Sequence, residues 1–296
     1  MGCHPACSVS AALALVLAAG CGGGSDPAPE RAGVPPIATS PPTVPTDRDP
    51  ATTDRMLDVG GHELFIACLG TGSPTVIYLH GMGGTGVGGT DIAKRLGGDT
   101  RVCTYDRPNG LGISEMRDGP LTGEDSVADL HGLLEAAGVP GPYVLLGASH
   151  GGLIAGMYAG TYPDDVVGMV LLDSPLPDTF DYEGRYLPKD SLPKPEDWEE
   201  SPEKVDDATT FRQAQALQDK QPKIPVTYLA AKVIDLPASL PRKKIIAADR
   251  RLQRDYLARF SPGRLVLVDS PHYMEPEIPG RIAREVRRIV AASAAR

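Results

Sequence analysis

Aromatic side chains are scarce in this chain: Phe, Trp and Tyr together make up 5% of it, and there is a single tryptophan. A platform that stacks bases needs more than that. Positive charge is short as well, with 29 Lys and Arg against 38 Asp and Glu and a net charge of −9. No Lys/Arg-rich stripe interrupts the deficit, so no basic field exists to hold phosphates, and nucleic acid is not expected as a partner. Nothing has the H-E-x-x-H form or clusters Cys and His at ligand spacing, so neither a metal nor another cofactor is expected. The sequence carries no internal repeat. Its longest N-terminal apolar run, Val9 to Ala19, is too short to span a bilayer.

That run ends in small residues, which suits the apolar region of a signal peptide over residues 1–20, although Met1 to Ser8 contains no Lys or Arg. Leu17-Ala18-Ala19-Gly20-Cys21 is similar to a bacterial lipobox. The similarity implies a lipid on Cys21 and an anchor on the extracytoplasmic face of the cell membrane, with simple cleavage and secretion as the alternative. Residues 21–54 are rich in Pro, Gly, Ser, Thr and Asp and read as a disordered tether. Residues 55–296 form the folded domain, and a hydrophobic content of 41% supports a core. Of five cysteines, Cys3 and Cys7 lie in the signal peptide and Cys21 is the lipid candidate. Cys68 and Cys103 remain, and in an exported protein a remaining pair suggests a disulfide.

Within the domain, Met56 to Val59 and His62 to Cys68 flank Gly60-Gly61 and read as a β-hairpin. Strands are predicted at Thr75–Leu79, Thr100–Tyr105, Tyr143–Leu146, Val166–Asp173, Pro225–Ala230 and Arg264–Val268. Helices are predicted at Thr90–Leu96, Asp125–Ala137, Leu153–Ala159, around Leu252–Phe260 and at Arg281–Ala292, the second with Val127, Leu130, Leu133 and Leu134 on one side. Alternating strands and helices imply an α/β domain with a mostly parallel central sheet covered on both faces. From about 174 to 222 the alternation breaks into a Pro-, Asp- and Glu-rich stretch, placed between strands six and seven where a small lid belongs.

One stretch carries chemistry. Tyr143 to Leu146 leads into Gly147-Ala148-Ser149-His150-Gly151, a G-x-S-x-G sequence, and a helix follows. Strand, sharp turn and helix make this a nucleophile elbow with Ser149 at its tip. A serine hydroxyl attacks well only if a base takes its proton, and the base needs a third group to fix its tautomer.

Four blocks in order, His80-Gly81, Tyr105-Asp106-Arg107-Pro108, the Ser149 elbow and Ser270-Pro271-His272, resemble the α/β-hydrolase family from about Arg55 onward. The block Pro108 to Ser114 carries one residue more than the common family form. The resemblance implies Ser149 as nucleophile and His272 as base. For the acid it implies Asp235, after the strand 225–230, ahead of Asp173, which ends the preceding strand; Asp269 is left if neither serves. It implies backbone N–H groups of Met82 and His150 as the oxyanion hole. It also makes the strands of Cys68 and Cys103 neighbours, within reach of a disulfide. The expected activity is hydrolysis of a small-molecule carboxylic ester through an acyl-enzyme. A peptidase or amidase of the same fold, or a catalytically silent surface binding protein, are the alternatives. Oligomeric state is not legible.

Overall fold

The computed structural model describes residues 52–294. The signal peptide, most of the tether and Cys21 lie outside the described residues. Strands β1 (Thr52–Asp58) and β2 (Glu63–Leu69) form an antiparallel hairpin. Gly60 and Gly61 turn it at φ 107° and 106°, which a side chain would resist, and Asp58 Oδ1 accepts both of their N–H groups at 2.7 and 3.1 Å. Strands β3 (Thr75–Leu79), β4 (Val102–Tyr105), β5 (Tyr143–Ala148), β6 (Val166–Leu172), β7 (Val226–Ala231) and β8 (Gly263–Val268) complete an eight-stranded sheet in the order β1-β2-β4-β3-β5-β6-β7-β8. Every pairing from β4 to β8 across the sheet is parallel, and β2, antiparallel to both β1 and β4, is the one strand of the sheet that runs against the rest.

The alternation of side chains along the central strands builds two cores. Ile77, Leu79, Leu145, Met169 and Leu171 face one side, where α2 (Gly123–Ala137), α3 (His150–Thr161) and α6 (Arg242–Leu257) bring Leu130, Leu133, Leu153, Ile154, Leu252 and Tyr256. Val76, Tyr78, Val144, Leu146, Val170 and Leu172 face the other, covered by Ile92 and Leu96 of α1 (Thr90–Leu96) and by Ile282, Val286 and Ile289 of α7 (Pro279–Ala294). Burial on both faces is why these strands read as unbroken apolar runs. Helix α2 begins with Thr122 and Asp125 capping each other's backbone N–H and ends at Gly138 with φ 63°. Helix α6 begins ten residues earlier than its predicted position, because Arg242 to Arg251 is mostly polar and presents little apolar periodicity.

The segment between β6 and β7 holds α4 (Thr179–Glu183), several short 3₁₀ turns and α5 (Asp207–Ala216). One of its attachments to the body is at the start of α2. Leu121 N–H donates to Lys204 O at 2.8 Å, Asp206 N–H donates to Leu121 O at 2.8 Å, and Thr210 Oγ1 accepts the first N–H of α2 at 2.9 Å.

Cys68 and Cys103 are direct partners across the antiparallel β2-β4 pair, with Cα atoms 4.0 Å apart, and they form a disulfide. The bridge closes a loop of sequence separation 35, which contains β3 and the His80-Gly81 block. Constraining the unfolded chain over such a loop is worth about 3–4 kcal/mol. Cys68→Ser/Cys103→Ser should therefore melt several degrees lower than wild type by circular dichroism, and reductant should lower only the wild-type midpoint.

Candidate active site

Strand β5 ends at Ala148 and α3 begins at His150, so Ser149 alone makes the turn, at φ 48° and ψ −126°. Few non-glycine residues occupy that region, and the surroundings hold it there. Ser149 N–H donates to Leu172 O of β6 at 2.9 Å, and Gly152 N–H donates back to Ser149 O at 2.8 Å. Helix and strand approach so closely that a Cβ on Gly147 would lie 2.5 Å from Gly152 Cα, and one on Gly151 would collide with the carbonyl oxygens of Leu79 and His80. The glycines of the motif are thus needed for contact between backbones.

His272 follows β8 and is buried. Its Nε2 lies 2.9 Å from Ser149 Oγ and its Nδ1 lies 2.9 Å from Asp173 Oδ2. An ionised carboxylate can only accept, so Nδ1 carries the proton and donates, and Nε2 accepts the serine hydroxyl proton. Asp173 stands immediately after β6, with φ 42°. Its N–H donates to Leu229 O at 2.8 Å, and its Oδ1 accepts Ala231 N–H at 3.0 Å, so β7 fixes the carboxylate from two directions.

The expected preference between the two acids is reversed. Asp235 is exposed in the loop after β7 and makes no hydrogen bond among the described residues, whereas Asp173 holds His272. The reason is long-range: β7 extends to Ala231, and the Ala231 N–H captures Asp173 beneath the imidazole before the chain reaches residue 235. Asp269, the remaining option, is exposed and pairs with Lys232 at 3.0 Å.

Met82 lies in a turn closed by Gly84 N–H on Gly81 O at 3.0 Å. The turn abuts the elbow: a Cβ on Gly81 would lie 3.4 Å from Ser149 Cβ. His150 opens α3, so its N–H is one of those a helix leaves without an internal partner. The His150 imidazole is buried against the insertion, its Nδ1 3.9 Å from Asp207 Oδ1, and burial and then the Arg107 charge push it down to about 3. His80 is held well below the usual imidazole range by burial first and Arg107 second. Both imidazoles are neutral.

The extra residue in the Pro108–Ser114 block is accommodated by Asn109, which adopts φ 61°. Its side chain brackets residue 117, accepting Arg117 N–H at 2.8 Å and donating to Arg117 O at 3.0 Å. Asp106 ties the same loop down by accepting Gly86 N–H at 2.6 Å and Ile113 N–H at 3.0 Å. Sequence reasoning missed Glu203. It sits in an acidic, proline-rich stretch that reads as solvent-facing, yet it is buried against Arg107.

A strand-elbow-helix turn thus carries the serine, an antiparallel hairpin edges an otherwise parallel sheet, and a histidine follows the last strand. The family profile described as "alpha/beta hydrolase fold" matches residues 74–202. The chain has the α/β-hydrolase fold. Among solved structures, a thermophilic esterase from Thermogutta terrifontis is similar, with a TM-score of 0.54 and 20% identity over 81% of this chain and 99% of that one. The uncharacterized protein YqjL of Bacillus subtilis is 32% identical over 109 residues, 37% of this chain and 43% of that protein. A pimeloyl-[acyl-carrier protein] methyl ester esterase of Chromobacterium violaceum is 40% identical over 111 residues, 37% of this chain and 40% of that protein. The matched stretch thus spans less than half the length of either relative.

Two further carboxyls lie behind Asp173. Burial, helped by Asp249 and Asp173, pushes Glu183 up to about 8. Burial pushes Asp249 up to about 7, with Arg250 opposing and Asp173 adding. Both hold protons in the folded chain at pH values where the unfolded chain has released them. Their contribution to stability is complete below the ordinary carboxylate range and is lost as pH rises through 7 to 8. Calorimetric melting temperature should therefore fall between about pH 5 and about pH 9, and Glu183→Gln should flatten that slope.

Proposed function

We propose that this chain is a serine hydrolase that cleaves a small carboxylic ester through an acyl-enzyme. The observation that carries the proposal is the continuous relay from Ser149 Oγ to His272 Nε2 and from His272 Nδ1 to Asp173, each link 2.9 Å. Ser149 attacks the ester carbonyl while His272 takes its proton, and Asp173 stabilises the imidazolium that results. The negative charge that develops on the carbonyl oxygen is met by the N–H groups of Met82 and His150. His272 returns the proton to the leaving alcohol. Water then enters, gives its proton to His272 and releases the acid by the same steps in reverse. The fold alone hosts many chemistries, so it is the relay that argues for hydrolysis.

The ester preference draws on the relative from Chromobacterium violaceum, whose name specifies a methyl ester esterase. The export signal and the lipid on Cys21 belong to the same proposal, placing the enzyme at the extracytoplasmic face of the membrane. Mass spectrometry of the mature N-terminus tests that part, and an unmodified start downstream of Cys21 refutes it.

A fluorophosphonate probe should label the wild type at Ser149, and a panel of p-nitrophenyl esters should be turned over faster than aminoacyl anilides. Ser149→Ala should abolish labelling and reduce turnover by several orders of magnitude without lowering the melting temperature. Asp173→Asn should cut kcat by about 10⁴ by upsetting the His272 tautomer, whereas Asp235→Asn should leave it within about twofold. A folded wild type that takes no label, or an Asp235 variant that loses as much as the Asp173 variant, contradicts the proposal.

A further inference from the structure

Among the described residues, Arg107 and Glu203 form an ion pair with both side chains almost wholly out of water: Nε to Oε2 is 2.7 Å and the side chains are 1% and 2% exposed. Burying two charges is costly and rarely justified by stability alone. The partners are 96 residues apart, one at the end of β4 and the other in the insertion. What they hold in common is the turn from Gly81 to Gly84.

The carbonyl of Gly81 collects three donors. His80 Nε2 accepts the Arg107 N–H at 3.1 Å, so the His80 proton is on Nδ1, which donates to Gly81 O at 2.8 Å. Arg107 Nη2 donates to the same oxygen at 2.9 Å, and Gly84 N–H does so at 3.0 Å. In a trans peptide the C=O and N–H point in opposite directions, so fixing the oxygen of Gly81 aims the N–H of Met82. The next peptide is fixed as well. Glu203 Oε1 accepts Gly83 N–H at 2.6 Å, and Gly83 takes φ 67°. The Met82 N–H donates to no group among the described residues.

We propose that Glu203, reaching in from the insertion, is a positioning residue for the oxyanion site. It grips the Met82–Gly83 peptide directly and the Gly81–Met82 peptide through Arg107, and so keeps the Met82 N–H turned toward the carbonyl under attack by Ser149. The proposal rests on the reading of Met82 N–H as an oxyanion donor. Its consequence is that the insertion shapes the transition state as well as covering the site. Without the carboxylate the two peptides can rotate, and a carbonyl rather than an N–H can face the developing charge.

The test uses p-nitrophenyl butyrate as substrate and a trifluoromethyl ketone, which forms a tetrahedral oxyanion adduct with a serine hydroxyl. Glu203→Gln should lower kcat by about tenfold or more while KM stays within about twofold, and the ketone's inhibition constant should rise by the same factor as kcat/KM falls. The pH-rate midpoint should not move. Glu203→Asp, which keeps a negative charge near Arg107 but is a methylene shorter, should show a smaller loss along the same line; it replaces Glu203→Gln if that variant does not fold. Met82→Pro deletes the N–H at a turn position that suits proline and should lose at least as much. Glu203 variants with wild-type kcat, or with a kcat loss unmatched by weaker ketone binding, overturn the proposal. If Met82→Pro keeps its turnover, the donor assignment falls and the role of Glu203 with it. If the wild type neither labels with fluorophosphonate nor turns over esters, it is the hydrolase reading that fails.

Discussion

A serine forced into φ 48° and ψ −126° is the constraint on which the rest of this structure depends. Such a backbone costs on the order of 1–3 kcal/mol and persists only when its surroundings leave no alternative. Here the surroundings are the sheet itself. Strand β6 takes the Ser149 N–H, and the carbonyl ends of β3 press against Gly151 so closely that only hydrogen fits on its Cα. Because the strands run parallel, their C-terminal ends all arrive at one edge. The same geometry that strains the serine therefore delivers Asp173 from β6 and His272 from beyond β8 to within hydrogen-bonding distance of one another.

Electrostatics then divide the histidines. His80 and His150 are buried beside a guanidinium, which makes a second positive charge costly and keeps both rings neutral. Each serves as a fixed piece of scaffold. His272 differs in its partners more than in its burial. It has a carboxylate on one nitrogen and a hydroxyl on the other, so a proton can arrive on the ring without leaving a charge unanswered. The neighbours of the three rings separate their roles.

How much of this was legible follows from how local each signal is. Ser149 could be read because the strand, the glycines and the helix that make its turn are contiguous in sequence. The Cys68–Cys103 bridge could be read because few cysteines remain once the N-terminal ones are set aside, and because a neighbouring pair of strands is a property of the fold. The preference for Asp235 over Asp173 was the wrong one, because both follow strands and nothing local separates them. What chooses between them is the Ala231 N–H, a contact across the β6-β7 pair that leaves no trace in the local pattern. Glu203 was invisible for a stronger reason. Its neighbours in sequence are those of a solvent-facing segment, and its side-chain partners, Arg107 and the Gly83 N–H, lie 96 and 120 residues away. Helix α5 was missed in the same stretch, since it packs Phe211 and Ala214 inward over barely three turns.

The attachment of the insertion has a bearing on how this chain could diverge or be re-engineered. The segment leaves the sheet after β6 and returns at β7, two neighbouring strands, so by connectivity alone it looks like a cassette that could be swapped for one of another length and shape. The chemistry at its tip says otherwise. Removing it would take the anion from the Arg107 guanidinium, and breaking a desolvated pair typically costs about 3–5 kcal/mol. A graft is therefore compatible with this body only if it carries its own carboxylate to the same point, or if Arg107 is exchanged along with it. Residues 107 and 203 are expected to change together or not at all.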